Sequence, residues 1–152
     1  MARRKNKVLA AILAGGITAA ALDLFAAVTI YHTTPVRVMR SIARGWLGQS
    51  ALTGGTPAAA LGLASHVLIL VAAAAIFVLA SLKISILRRQ FWIAGPVFGA
   101  GIYVVMHYVL VPLSRAPNRV PQGADFAWEF ASHLFLVGLP IALWARLLLG
   151  RR

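Results

Sequence analysis

The sequence predicts an all-α integral membrane protein: a four-helix bundle with one additional interfacial amphipathic helix between the first and second spans. Three observations predict it. Apolar residues are 61% of the 152 residues, against roughly 45–50% in a soluble domain. Charged residues are only 12%, about half the usual share. The apolar residues are gathered into four runs, each long enough for a helix to cross a hydrocarbon core of roughly 30 Å. Period-2 alternation is absent, which argues against a membrane β-barrel. The length is that of a single domain. A disordered chain would need the opposite balance of apolarity and charge. No cysteine is present, so disulfides and thiolate metal sites are excluded.

The first span covers residues 8–31 and is broken only by Asp23. Arg3, Arg4, Lys5 and Lys7 precede it, as they would a secretory leader, and Ala19-Ala20-Ala21 has the small residues of a cleavage region. The apolar run continues well past that point to Tyr31, so a retained helix is expected. The first loop is long. Within it, residues 35–49 place Val36, Met39, Ile42, Ala43, Trp46 and Leu47 on one helical face and Arg37, Arg40 and Arg44 on the other. That is the pattern of a helix lying in the membrane interface, with arginines suited to anionic lipid headgroups. Thr53-Gly54-Gly55-Thr56-Pro57 turns the chain into the second span, 57–82, which contains His66.

The third span, 91–113, contains His107, and the fourth, 126–149, contains Glu129, His133 and Arg146. Short connections make neighbouring spans antiparallel. Small residues mark the faces on which helices can approach closely: Gly16, Ala19, Ala20 and Ala27 beside Asp23; Ala59, Gly62 and Ala73 beside His66; Gly95 and Gly99, with Gly101 nearby. Pro140 is expected to kink the fourth span, while Pro96 only adjusts the first turns of the third. Asp125 is expected to cap the fourth helix.

The fifteen lysines and arginines outnumber three acids. They lie between the apolar runs and not on one face with aromatics, so they orient the chain and do not mark a nucleic-acid surface. The N-terminal tail, second loop and C-terminal end hold ten of them and the first and third loops five. The positive-inside rule then places both termini in the cytoplasm, with Tyr31 and Trp128 near the outer interface and Trp92 and Trp144 near the inner one.

In that orientation Asp23, His66, His107, Glu129 and His133 all fall in the outer half of the membrane, with at least one from each span. Glu129 and His133, like Tyr103 and His107, are four residues apart and share a helical face. Buried ionisable groups need partners, so a shared polar pocket is expected. Neutral imidazole with carboxylate suits zinc, iron, manganese or copper. The same groups suit a proton relay, and histidines from different helices are the pattern of axial haem ligands. Structural hydrogen bonding between helices is the plainer reading. Glu-x-x-x-His is not the Glu-x-x-His di-iron spacing, and HExxH, Walker and GxSxG motifs are absent. Ser65-His66 and Ser132-His133 are neighbours that point different ways on a helix. The reading therefore leans away from an enzyme.

The segment PVRVMRSIARGWLGQSALTGGTPAAALGLASH, with VVMHYVLVPLSRAP and SHLFLVGLPIALWAR, resembles the signatures of a family of small four-span bacterial inner-membrane proteins with no established activity. The resemblance implies the fold and a bacterial inner membrane, and takes in Asp23, His66, His107 and His133 without assigning them roles. Two functions are carried forward. One is a pocket that binds or passes a metal ion or a proton. The other is a non-catalytic accessory subunit that packs against a larger membrane complex or another copy, with membrane lipids as partners in either case. An enzyme acting on lipids at the outer leaflet is a weaker third.

Overall fold

A computed structural model describes residues 2–117 and 120–150. Arg119, Arg151 and Arg152, which entered the charge asymmetry, lie outside the described residues. Among the described residues the structure is helical, without strands. The elements are α1 (Ala2–Ile30), α2 (Pro35–Leu47), α3 (Gly55–Lys83), the single turn α4 (Ile86–Arg89), α5 (Phe91–Leu113) and α6 (Gly123–Leu149). A 3-10 turn, Gly48–Leu52, joins α2 to α3. The four helices α1, α3, α5 and α6 are each long and apolar enough to cross a membrane.

Local sequence explains the ends. Thr34 is extended and its side chain accepts the Arg37 backbone N–H, while Pro35 occupies the first helical position, where its missing donor costs nothing. Gly48 stops α2 at φ +63° and Gly55 opens α3 at φ +62°, a backbone region that glycine enters without a side-chain clash. Expected boundaries shift by a few residues: α2 ends at Leu47 and not at 49, and α3 begins at Gly55 and not at 57. The basic residues Arg3–Lys7 belong to α1, because nothing in that stretch breaks a helix. α6 begins at Gly123 and not at 126, and its cap position is Gln122. Asp125 is therefore not the cap; it sits in the first turn, where its negative charge meets the positive end of the helix dipole.

α1 lies between α3 and α6, and α6 lies between α1 and α5; α2 crosses the start of α3. The backbones of α3 and α5 stay apart and the two helices meet through side chains, the Phe77 and Phe98 rings lying 5.1 Å apart, so a cleft is left on that side. The core is built mostly from small side chains. Ala11, Ala19, Ala20, Ala74, Ala142 and Ala145 surround Leu70, Phe77, Val78, Val137 and Ile141. Large apolar side chains such as Phe25, Leu68, Ile76, Val97 and Leu147 point outward, far more apolar surface than a soluble monomer leaves exposed.

Glycines set the closest approaches. A Cβ on Gly62 would run into the backbone of Met39, so α2 rests directly on α3 there. Gly95 and Gly99 on α5 interlock with Gly138 on α6, each backbone filling the space a side chain would need. The third glycine of that stretch, Gly101, departs from expectation: it meets nothing within 4 Å and faces outward.

Both α5 and α6 contain a widened, π-type turn, at Met106–Leu110 and His133–Gly138. The last widened bonds run from Val111 N–H to the Met106 carbonyl and from Leu139 N–H to the Leu134 carbonyl. The next residue in each case is proline, Pro112 and Pro140. A proline lacks the N–H and its ring collides with the carbonyl four residues earlier. Widening the preceding turn relieves that collision without breaking the helix. Pro140 thus acts where expected, through a widened turn, and Pro96 is accommodated within regular helix.

Gly138→Ala should lower thermal stability in detergent by about 1–3 kcal/mol, because its methyl meets backbone that cannot move aside. Gly101→Ala should change it by no more than about 0.5 kcal/mol. Equal melting of the two variants would refute the interlocked crossing.

Candidate functional site

The two widened turns hold His107 and His133, and the site is built around them. Each ring turns back on its own helix. His107 donates through Nδ1 to the Tyr103 carbonyl (3.1 Å) and His133 through Nδ1 to the Glu129 carbonyl (2.9 Å). A carbonyl can only accept, so each Nδ1 carries its proton and each Nε2 points away from the helix that bears it. On α3, His66 makes the reverse choice: its Nε2 donates across to the Ala20 carbonyl of α1 at 3.0 Å.

Two imidazole–carboxylate pairs result. His107 Nε2 lies 3.2 Å from Glu129 Oε1, joining α5 to α6. His66 Nε2 lies 3.8 Å from Asp23 Oδ2, joining α3 to α1. The Tyr31 hydroxyl, just beyond α1, donates to the second Glu129 oxygen at 2.5 Å. Asp23 is within electrostatic reach of both His133 and Glu129, which links the pairs into one layer. All three histidines are buried and both carboxylates are less than a fifth exposed. The five ionisable residues singled out in the sequence therefore lie together, and the small-residue faces around Asp23 and His66 turn toward protein.

Tyr103 was visible in the sequence only as a neighbour of His107 by helical spacing. It is the largest fully buried side chain. Its ring stacks on His107 (4.1 Å between centroids) and meets His133 edge-on (5.3 Å). Phe126 and Phe130 close its other side, also edge-on. Its hydroxyl is buried and has no hydrogen-bond partner among the described residues. Tyr31 was expected only as an aromatic at the interface; its bond to Glu129 spans 98 residues of sequence, a distance local patterning cannot read.

Among the described residues no three His, Asp or Glu side chains converge as a metal-ligand set. The side chains meet in pairs, and the ring nitrogens are divided between carbonyls and carboxylates. The Ser65 and Ser132 hydroxyls bond to the Leu61 and Glu129 carbonyls of their own helices, so neither is aligned with its neighbouring histidine as a nucleophile.

The arginines of α2 are divided. Arg37 is exposed, whereas Arg40 and Arg44 are half-buried, and Arg40 Nε donates to the Gly55 carbonyl at 3.1 Å. Trp46 leaves most of its ring exposed while its indole N–H donates to Ser65 Oγ at 2.9 Å. Ser65 thus ties α2 to the turn of α3 that carries His66.

No family model, curated protein or solved structure matches this chain.

Nitrogen NMR of histidine-labelled protein should show Nδ1-protonated rings for His107 and His133 at neutral pH, and an Nε2-protonated ring for His66. Glu129→Gln should perturb His107 most. Rapid tautomer averaging at all three rings would contradict the described bonds.

Proposed function

We propose that this chain is a four-helix integral protein of a bacterial inner membrane, with both termini cytoplasmic, that binds and exchanges protons at a pocket near the outer face. The carrying observation is the arrangement Tyr31–Glu129–His107. With Nδ1–H of His107 committed to the Tyr103 carbonyl, one proton suffices for the 3.2 Å line between Nε2 and Oε1. It rests either on nitrogen, giving imidazolium and carboxylate, or on oxygen, giving neutral imidazole and carboxylic acid. Both states keep every hydrogen bond, which is what a group that must gain and lose a proton requires. Of the two ions the sequence left open, paired donors and acceptors favour the proton over a metal, which takes several ligands around one point.

The pocket faces one side only. Tyr31, 45% exposed, reaches Glu129 from the outer end. Deeper in the spans, residues 8–22, 67–82, 91–102 and 134–145 contain no acid, histidine or tyrosine, so no relay continues inward. This favours reversible protonation from the outside, coupled to a change in packing, over a conducting path. α2 covers this end, its exposed Val36, Trp46 and Leu47 suited to the lipid interface and its Arg37 to headgroups.

A specific observation also favours an accessory role. The open side between α3 and α5 forms a cleft of about 680 Å³ lined only by apolar side chains, with Ala72, Ala80, Ala94 and Gly101 among them. Small residues exposed along an apolar cleft suit close approach by another protein's membrane helix.

In nanodiscs, infrared difference spectra recorded on acidifying the outer face should show a carboxyl band that disappears in Glu129→Gln and shifts in His107→Ala. In liposomes, proton uptake should follow acidification of the outer face alone, without steady conduction. No titrating carboxyl, or sustained transmembrane proton current, would overturn this reading. The accessory reading expects a stoichiometric partner in native membranes that Ala80→Trp removes and His107→Ala retains.

A further inference from the structure

The line Tyr31–Glu129–His107 leaves Asp23, His66 and His133 without a part in proton binding. Asp23 stands on the stripe of α1 that carries Ala19, Ala20 and Ala26, all buried, and so faces protein. α1 lies between α3 and α6 and packs directly on the widened turn that begins at His133. His66 thus meets Asp23 from α3, and His133 approaches it from α6.

Hydrogen bonding separates the two rings. His66 Nε2 is 3.8 Å from Asp23 Oδ2, beyond hydrogen-bond reach, and its proton is committed to the Ala20 carbonyl at 3.0 Å. His133 commits its Nδ1–H to the Glu129 carbonyl at 2.9 Å, which leaves a lone pair on Nε2. Among the described residues neither the Asp23 carboxylate nor His133 Nε2 has a hydrogen-bond partner. Two groups that can only accept therefore stand on adjacent helices within apolar segments, and buried acceptors without a donor are costly.

Charge points the same way. The charged and titratable groups within electrostatic reach of Asp23 are His133, His66 and Glu129, with no lysine or arginine among them. His133 in turn faces Asp23, Glu129 and the rings of Tyr103 and His107. With every imidazole neutral, Asp23 and Glu129 would give the layer two negative charges. The proton shared by Glu129 and His107 removes one of them. A second proton is needed to remove the other, and an uncompensated charge is expensive at this depth.

We propose that Asp23 and His133 form a second proton-binding pair, which holds one proton between the Asp23 carboxylate and His133 Nε2 across the α1–α6 contact. The two groups stand farther apart than the 4.0 Å of a direct ion pair, so a bridging water completes the line. With the proton on Asp23, the carboxylic acid donates to the water and the water donates to Nε2. With the proton on His133, Nε2–H donates to the water and the water donates to the carboxylate. The proton comes from the outer face and returns to it. The pair's exchange with that face rests on the proposed proton function, but its residues are ones that function does not use.

The test is a count of protons bound by the full chain in nanodiscs, titrated across neutrality with an indicator dye. Asp23→Asn should bind about one proton fewer than wild type, and His133→Gln likewise. The double variant should bind no fewer than either single variant, because the one proton belongs to the pair. Glu129→Gln should lose a separate proton, so that combined with Asp23→Asn about two are lost. If His133→Gln does not fold, the near-isosteric Asp23→Asn still decides. An unchanged count in Asp23→Asn, with Glu129→Gln one proton short, would overturn the pair and leave the function at Glu129 standing. Summed losses in the Asp23→Asn, His133→Gln double variant would mean independent titration and would also overturn the pair. A loss in Asp23→Asn with no loss in Glu129→Gln would support the pair and overturn the function proposed at Glu129.

Discussion

A titratable side chain inside an apolar helix has to find its partner in the protein, since neither hydrocarbon nor alanine can solvate it. That constraint organises this molecule. Asp23, His66, His107, Glu129 and His133 lie within the four long helices, and each faces another member of the set or a backbone carbonyl. The carboxylates can only be met by rings from other helices, so their pairing fixes which helices lie side by side. His66–Asp23 ties α3 to α1, and His107–Glu129 ties α5 to α6. The penalty for leaving any of these groups unpaired is at least a few kcal/mol, comparable to a sizeable fraction of a domain's stability.

Close packing and polar pairing depend on each other. The imidazole–carboxylate distance in α5–α6 can be short because Gly95 and Gly99 let the α5 backbone settle against Gly138. The widened turns are part of the same arrangement. Pro112 and Pro140 force a local departure from regular helix, and the departure falls where His107 and His133 project. Both rings on the widened turns return Nδ1–H to their own helix, and His107 thereby presents Nε2 to Glu129 of the neighbouring helix. The prolines thereby influence the orientation of acid–base groups they do not touch.

The two ends of the helices differ in charge chemistry. One end holds all three acids of the chain together with the buried histidines, and there His66 meets Asp23 and His107 meets Glu129. At the other, Arg3, Arg4, Lys7 and Arg88 gather around a cavity with a leucine floor. Self-compensation suits exchange of a small ion with little rearrangement. These are separate electrostatic devices on one scaffold.

Sequence alone determined the helical class and the four apolar segments, because both follow from composition and run length. It also determined α2, since Thr34, Pro35 and Gly48 are local start and stop signals. The shared depth of Asp23, His66, His107, Glu129 and His133 was legible by counting residues along helices of known rise. Which imidazole meets which carboxylate was not, because that depends on crossing geometry between helices remote in sequence. The same reason hid the reach of Tyr31 to Glu129, the role of Tyr103 at the centre of the aromatic group, the outward turn of Gly101 and the open side between α3 and α5. The basic cavity could be read only as scattered loop charges until α1, the α3–α4 turn and α6 were brought together. Periodicity reports which face of a helix is apolar; only tertiary packing decides what that face meets.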